Sequence, residues 1–107
     1  MKQNKILSLI SLAAKAGRIV SGEFATEKAV KDGTAAMAVI AGDASENTKK
    51  KFRNMCDFYK VPICIYADKD TLGHAIGKEF RASLAVTDQG FAKGITKHMS
   101  AENHTTA

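Results

Sequence analysis

The sequence predicts a single α/β domain, a three-layer sandwich with helices on both faces of a small, mostly buried sheet. Three observations carry that reading. Segments with the apolar spacing of helices alternate along the chain with segments of strand length. One of the latter, Ala36 to Ala41, is a nearly continuous apolar run, the pattern of a central strand covered on both faces. The 107 residues, 45% hydrophobic and 25% charged, suffice for one core and leave no room for a second domain.

The first element is the run Ile6 to Ala14. Lys2 and Lys5 precede it and Ala14-Lys15-Ala16 imitates a signal-peptidase site, so a secretory leader has to be weighed. Ser8 and Ser11 interrupt the run, however, and Ile6, Leu9, Ile10 and Ala13 fall at i, i+3, i+4 and i+7, which an amphipathic helix explains better. Gly17 closes this helix and Arg18-Ile19-Val20 is a short extended piece ending at Ser21. Ser21 reads as the N-cap of a second helix, Gly22 to Asp32, with Ala25, Ala29 and Val30 inward and Gly33 at its end. After the apolar strand, Asp43-Ala44-Ser45 forms a loop and cap, and Glu46 to Tyr59 a helix with Phe52, Met55, Cys56 and Tyr59 inward. Val61 to Tyr66 is the next strand, with Pro62 at its entrance, where a missing N–H costs little. A short helix from Asp68 to Ile76 ends at Gly77. Ser83 to Thr87 is a further strand and Asp88 to Met99 a final helix. The small, polar residues 100–107 predict a flexible tail beyond a domain spanning 1–99.

Lys plus Arg outnumber Asp plus Glu by 16 to 11, a formal net charge of +5. Such an excess favours a phosphate-bearing partner, because neutralised phosphates release condensed counterions. No stretch approaches the roughly 20 apolar residues of a membrane span. The two cysteines, Cys56 and Cys64, have no zinc-ligand spacing and read as reduced core residues. No Walker loop, GxGxxG, HExxH or GxSxG is present. His74 stands alone on a short helix and His98 and His104 lie near the end of the chain, so solvent-facing roles are expected for all three. Asp43 and Ser45 have no histidine nearby in sequence to activate the hydroxyl, and helix capping accounts for both.

The basic residues are placed more suggestively. Ser21-Gly22 opens a helix whose first backbone N–H groups are unsatisfied, and the glycine lets another backbone approach. Lys28 and Lys31 lie three apart on that helix and could extend contact along an RNA strand, or could be ordinary solvated lysines. Lys49-Lys50-Lys51, with Arg53, is the densest cluster. Consecutive helical residues diverge by about 100°, so a solvated helix is favoured over one compact patch. In Gly77-Lys78-Glu79-Phe80-Arg81-Ala82-Ser83, a ring and a guanidinium could lie against an unstacked base, while composition equally allows Phe80 to pack inward.

These residues resemble the kink-turn-binding ribosomal protein family (the L-seven-A-e family), in particular its bacterial YlxQ-like branch. The resemblance runs from about Lys5 to Lys97. It rests on Ala13-Ala14-Lys15-Ala16-Gly17, Val20-Ser21-Gly22-Glu23, Lys28-Ala29, Asp43 to Lys51, Tyr59-Lys60-Val61-Pro62, Leu72-Gly73, Ile76-Gly77-Lys78-Glu79 and Ala85 to Ala92. The resemblance implies an α/β/α sandwich with a four-stranded mixed sheet, and RNA recognition without catalysis, metal or cofactor. In that family the glycine-opened helix enters the groove of a bent RNA, and the loop before the last strand cradles a flipped-out nucleotide. Gly22 and Lys28 fall on the contacting positions of the helix, and Glu79 to Ser83 on the nucleotide loop.

One departure changes what is expected. Typical members carry Asn and Glu at the second and third positions after the glycine and read sheared G·A pairs with them. Phe24 and Ala25 stand there instead and cannot make those hydrogen bonds. The loop Phe80-Arg81-Ala82-Ser83 is also more polar than the family's. The sequence therefore predicts a cytoplasmic, monomeric, ribosome-associated protein that binds structured RNA, ribosomal or kink-turn-like, largely through phosphates. Ser21, Gly22, Glu23, Lys28, Lys31, Lys78, Phe80, Arg81 and Ser83 are its expected contacts, and ribosomal or ribosome-associated proteins its further candidate partners. The alternative is a protein-interaction module of the same fold, using its basic surface on an acidic partner.

Overall fold

The computed structural model describes the backbone of residues 4–106 and the side chains of residues 4–100. Helices α1 (Lys5–Lys15), α2 (Glu23–Asp32), α3 (Glu46–Tyr59), α4 (Lys69–Ala75) and α5 (Gln89–Thr106) alternate with strands β1 (Ile19–Ser21), β2 (Met37–Ile40), β3 (Ile63–Ile65) and β4 (Ser83–Val86). The strands form one mixed sheet in the order β1-β4-β2-β3. β4 runs antiparallel to both β1 and β2, while β2 and β3 are parallel.

The two central strands are buried at every residue, as the unbroken MAVI run requires. Their side chains alternate between two cores. Met37, Val39, Leu84 and Val86 meet Ile6 and Ile10 of α1, Leu72 of α4 and Ile95 of α5 on one face. Ala38 meets Val30 of α2 and Cys56 of α3 on the other, where Ile40 packs on Phe52. With helices on both faces, β1 and β3 are left as the sheet's edges.

Capping chemistry sets the helix starts. Asn4, Ser45 and Asp68 each accept a backbone N–H three residues on, and Asp88 accepts that of Phe91. The Asp43 carboxylate accepts the Lys69 amide at 2.9 Å, so it serves the first turn of α4 from across the fold.

Several expectations change. Ser21 is not the cap of α2: Gly22 takes that place at φ 94°, with no side-chain cap bond. Thr26 occupies the inner position expected of Ala25, which is only half-buried. Tyr59 is 41% exposed and Met55 is only partly covered, so neither is the inward residue its spacing suggested. β3 is three residues long, with Pro62 before it rather than within it. α5 continues to Thr106, well beyond Met99, with His98 part-buried along it. The side chains of 101–107, His104 among them, and residues 1–3 with Lys2 lie outside the described residues.

Candidate nucleic-acid interface

The end of β1, the start of α2 and the loop between α4 and β4 meet at one corner of the sheet. β1 pairs with β4 through Ser21 and Leu84, and the Gly22 amide extends that ladder by donating to the Ser83 carbonyl at 3.0 Å. Gly22 can turn the chain from strand to helix here because a positive φ costs it no Cβ clash. As in any α-helix, the first amides of the helix it opens have no intrahelical acceptor, and no side-chain cap satisfies them here.

Arg81 closes the corner. Its Nε donates to Ser21 Oγ at 3.0 Å, its Nη1 donates to the Phe80 carbonyl at 2.6 Å, and its amide donates to Lys69 at 3.1 Å. Sixty residues apart in sequence, Ser21 and Arg81 are thus direct neighbours. The loop is further seated by the Lys78 amide on the Gly73 carbonyl at 2.8 Å. Gly73 is buried, and a Cβ there would run into the Glu79 carbonyl and Phe80 Cα. Only a glycine lets the loop return this close to α4.

Of the two readings of Phe80, the outward one holds: the ring is 62% exposed. Phe24, in the first turn of α2, is 81% exposed. Lys78 is exposed and forms no ion pair among the described residues. Ser83 is buried, and its hydroxyl has no hydrogen-bond partner among the described residues. Its side chain therefore has no surface to offer, and its part in this corner is the carbonyl that holds Gly22.

The lysines of α2 split between two stripes. Phe24 and Lys28 lie one turn apart over a shallow hollow of about 170 Å³ floored by Val20 and Ala29, and Lys28 pairs with Asp32 at 3.3 Å. The Thr34 hydroxyl and amide, and then Lys28, hold the Asp32 carboxyl below its usual range. Glu23, Glu27 and Lys31 form the other stripe and face α3, where Lys51 bridges Glu23 at 2.8 Å and Glu27 at 2.9 Å while Lys31 meets Glu27 at 2.8 Å. Lys51 is therefore no simply solvated member of its cluster. Glu23 and Lys31, both expected contacts, are engaged in this inter-helix network.

Held first by Lys31 and then by Lys51, the Glu27 carboxyl is lowered from 4.5 to about 2. A carboxylate depressed on folding contributes stability above its unfolded pKa, and that contribution disappears as the pH falls from about 4.5 through about 2. Carboxyl NMR should show Glu27 titrating near 2 in the parent. Lys51→Ala should move that midpoint upward, and an unmoved midpoint would mean that Lys51 does not hold this group.

Elsewhere, burial pushes the Cys64 thiol up to about 12 and raises that of Cys56, so neither is a ready nucleophile. A wide hollow of about 690 Å³ between α1 and α4 is lined in part by His74 and Asp70. No helix among the described residues is long and apolar enough to cross a membrane.

Fold and corner together define a class: an α/β/α sandwich whose edge strand passes through a glycine into a helix, beside a loop presenting a ring and a guanidinium. The model of the Ribosomal protein L7Ae/L30e/S12e/Gadd45 family matches residues 4–96, and the chain belongs to that family. It is 44% identical over 87 residues to the RNA-binding protein YlxQ of Bacillus subtilis (strain 168), covering 81% of this chain and 87% of that protein. The RNA-binding protein YlxQ of Enterococcus faecium is 36% identical over 91 residues, covering 85% and 87%. Among solved structures, a protein with unknown function from Bacillus halodurans C superposes with a TM-score of 0.86 at 36% identity, covering 89% of this chain and 96% of that one. The Giardia lamblia 15.5kD RNA binding protein shares the fold with a TM-score of 0.75 at 21% identity, covering 91% and 90%.

Proposed function

We propose that this protein binds structured RNA and catalyses no reaction, using the start of α2 and the α4–β4 loop as one surface. The observation that carries this is the corner in which Arg81 is hydrogen-bonded to Ser21 and Gly22 to Ser83, because it joins two sequence-distant segments directly. Uncapped amides suit phosphate, and an exposed ring beside a fixed guanidinium suits an unstacked base. Lys28 and Lys78 supply the phosphate-facing charge. Two relatives are named RNA-binding proteins, which agrees with this reading and with a non-enzymatic role.

The finer reading is a ribosomal or kink-turn-like RNA, bound by a monomer in the cytoplasm, with ribosomal or ribosome-associated proteins nearby. Phosphate contacts dominate in it, since Phe24 and Ala25 offer no base-reading group. Lys28→Ala should then weaken all structured RNAs nearly equally and lower the salt slope of binding by about one unit. Titrations at several salt concentrations test this. A loss confined to one sequence would make Lys28 a base reader, and a parent without salt-dependent RNA affinity would overturn the proposal.

A further inference from the structure

Phe24 is the most exposed large hydrophobic side chain described, at 81%. It lies on the outer stripe of α2, in the helix's first turn, with its ring beside the hollow over Val20. Lys28 follows one turn later on the same side, its side chain 68% exposed and its ammonium only loosely held by Asp32. Two residues before Phe24, Gly22 is bonded to Ser83; three before, Ser21 is bonded to Arg81, the neighbour of the exposed Phe80. The corner thus carries two outward rings, one on each of the two segments it joins, with Lys28 one turn from the first and Lys78, Glu79 and Arg81 flanking the second in the loop. Asp32 is already engaged by Lys28 and Glu23 by Lys51.

A phenyl ring has no donor or acceptor, so it cannot read a base edge, yet every base has a face on which it can stack. Bases inside a continuous duplex keep their faces covered. We infer that Phe24 is a specificity-determining residue that stacks on an unpaired nucleobase, a second outward ring in addition to that of Phe80. The site would then select RNA that offers unstacked nucleotides next to a helix, whatever their sequence. This rests on the RNA-binding reading above and names the RNA class that reading leaves open.

The test uses the full chain and three hairpin RNAs at one salt concentration: one with a bulge of unpaired nucleotides, the same hairpin with abasic sites in the bulge, and an unbroken duplex. Phe24→Ala should weaken binding to the bulged RNA by roughly five- to a hundredfold, with much less effect on duplex. Phe24→Trp should restore it. Abasic sites should weaken the parent but add little to the loss already present in Phe24→Ala, as expected when ring and base form one contact. Because Phe24 is exposed, these variants should keep the parent's thermal stability. An unchanged bulge-to-duplex ratio in Phe24→Ala would overturn the inference and leave the ring to a protein partner, even if Lys28→Ala still lowers affinity. Absence of RNA binding by the parent would instead remove the reading on which the inference rests.

Discussion

Gly73→Ala should lose stability and RNA affinity together. In an exposed helix the change would favour folding by about 0.8–1 kcal/mol through helix propensity. Here the added methyl would collide with the Glu79 carbonyl and Phe80 Cα, which are main-chain atoms that no rotamer change can move aside. Overpacking of this kind costs about 1–3 kcal/mol, which exceeds the propensity gain. The cheapest relief is displacement of the loop that carries Lys78, Phe80 and Arg81, so affinity for a structured RNA should fall by about tenfold or more. Urea unfolding and RNA titration of the same preparation measure both effects. Gly94→Ala is the control: its methyl would meet only the flexible end of Leu9 at 3.3 Å, and it should leave affinity unchanged. A Gly73→Ala protein with parental affinity would show that the loop's seat on α4 is not needed for binding.

Phe24→Asn with Ala25→Glu should change which RNA is preferred. Phe24 is fully available at the surface and Ala25 half-buried in the first turn, where a carboxylate is also favoured by the helix dipole. The pair would place an amide and a carboxylate where family resemblance expects the readers of sheared G·A pairs. Each bidentate base contact is worth about 1–3 kcal/mol of discrimination, so the preference for a kink-turn RNA over straight duplex should rise by roughly tenfold or more. Loss of the ring should meanwhile lower affinity for a simple bulge. Competition between a kink-turn RNA and a duplex at fixed salt reads the ratio. If a folded double variant keeps the parent's ratio, the start of α2 does not enter an RNA groove.

The order of elements was legible because each announces itself locally. MAVI has the length and continuity of a buried strand, and α3 starts at its Ser45 cap and spans Glu46–Tyr59, although only Phe52 and Cys56 of its apolar residues are buried. What escaped the sequence depends on distant partners. Ser21 precedes a helix and so resembles a cap, but its hydroxyl is taken by Arg81 from a loop sixty residues away. Thr26 did not look like an inner residue, because its polarity conceals a position that the fold buries completely. Gly73 gave no local sign that a returning loop would need its missing side chain. Lys31 could have been paired with Glu27 from their i, i+4 spacing, whereas the bridge from Lys51 requires knowing that α2 and α3 lie side by side.

The bond between Arg81 and Ser21 also bears on timing. A free arginine loses about 1.5–2 kcal/mol of rotamer freedom when it is fixed. In this fold that loss is incurred when β1 and β4 come together, before any ligand arrives. The guanidinium then needs no search at the moment of encounter, so formation of a complex through it should not be slowed by rearrangement on arrival.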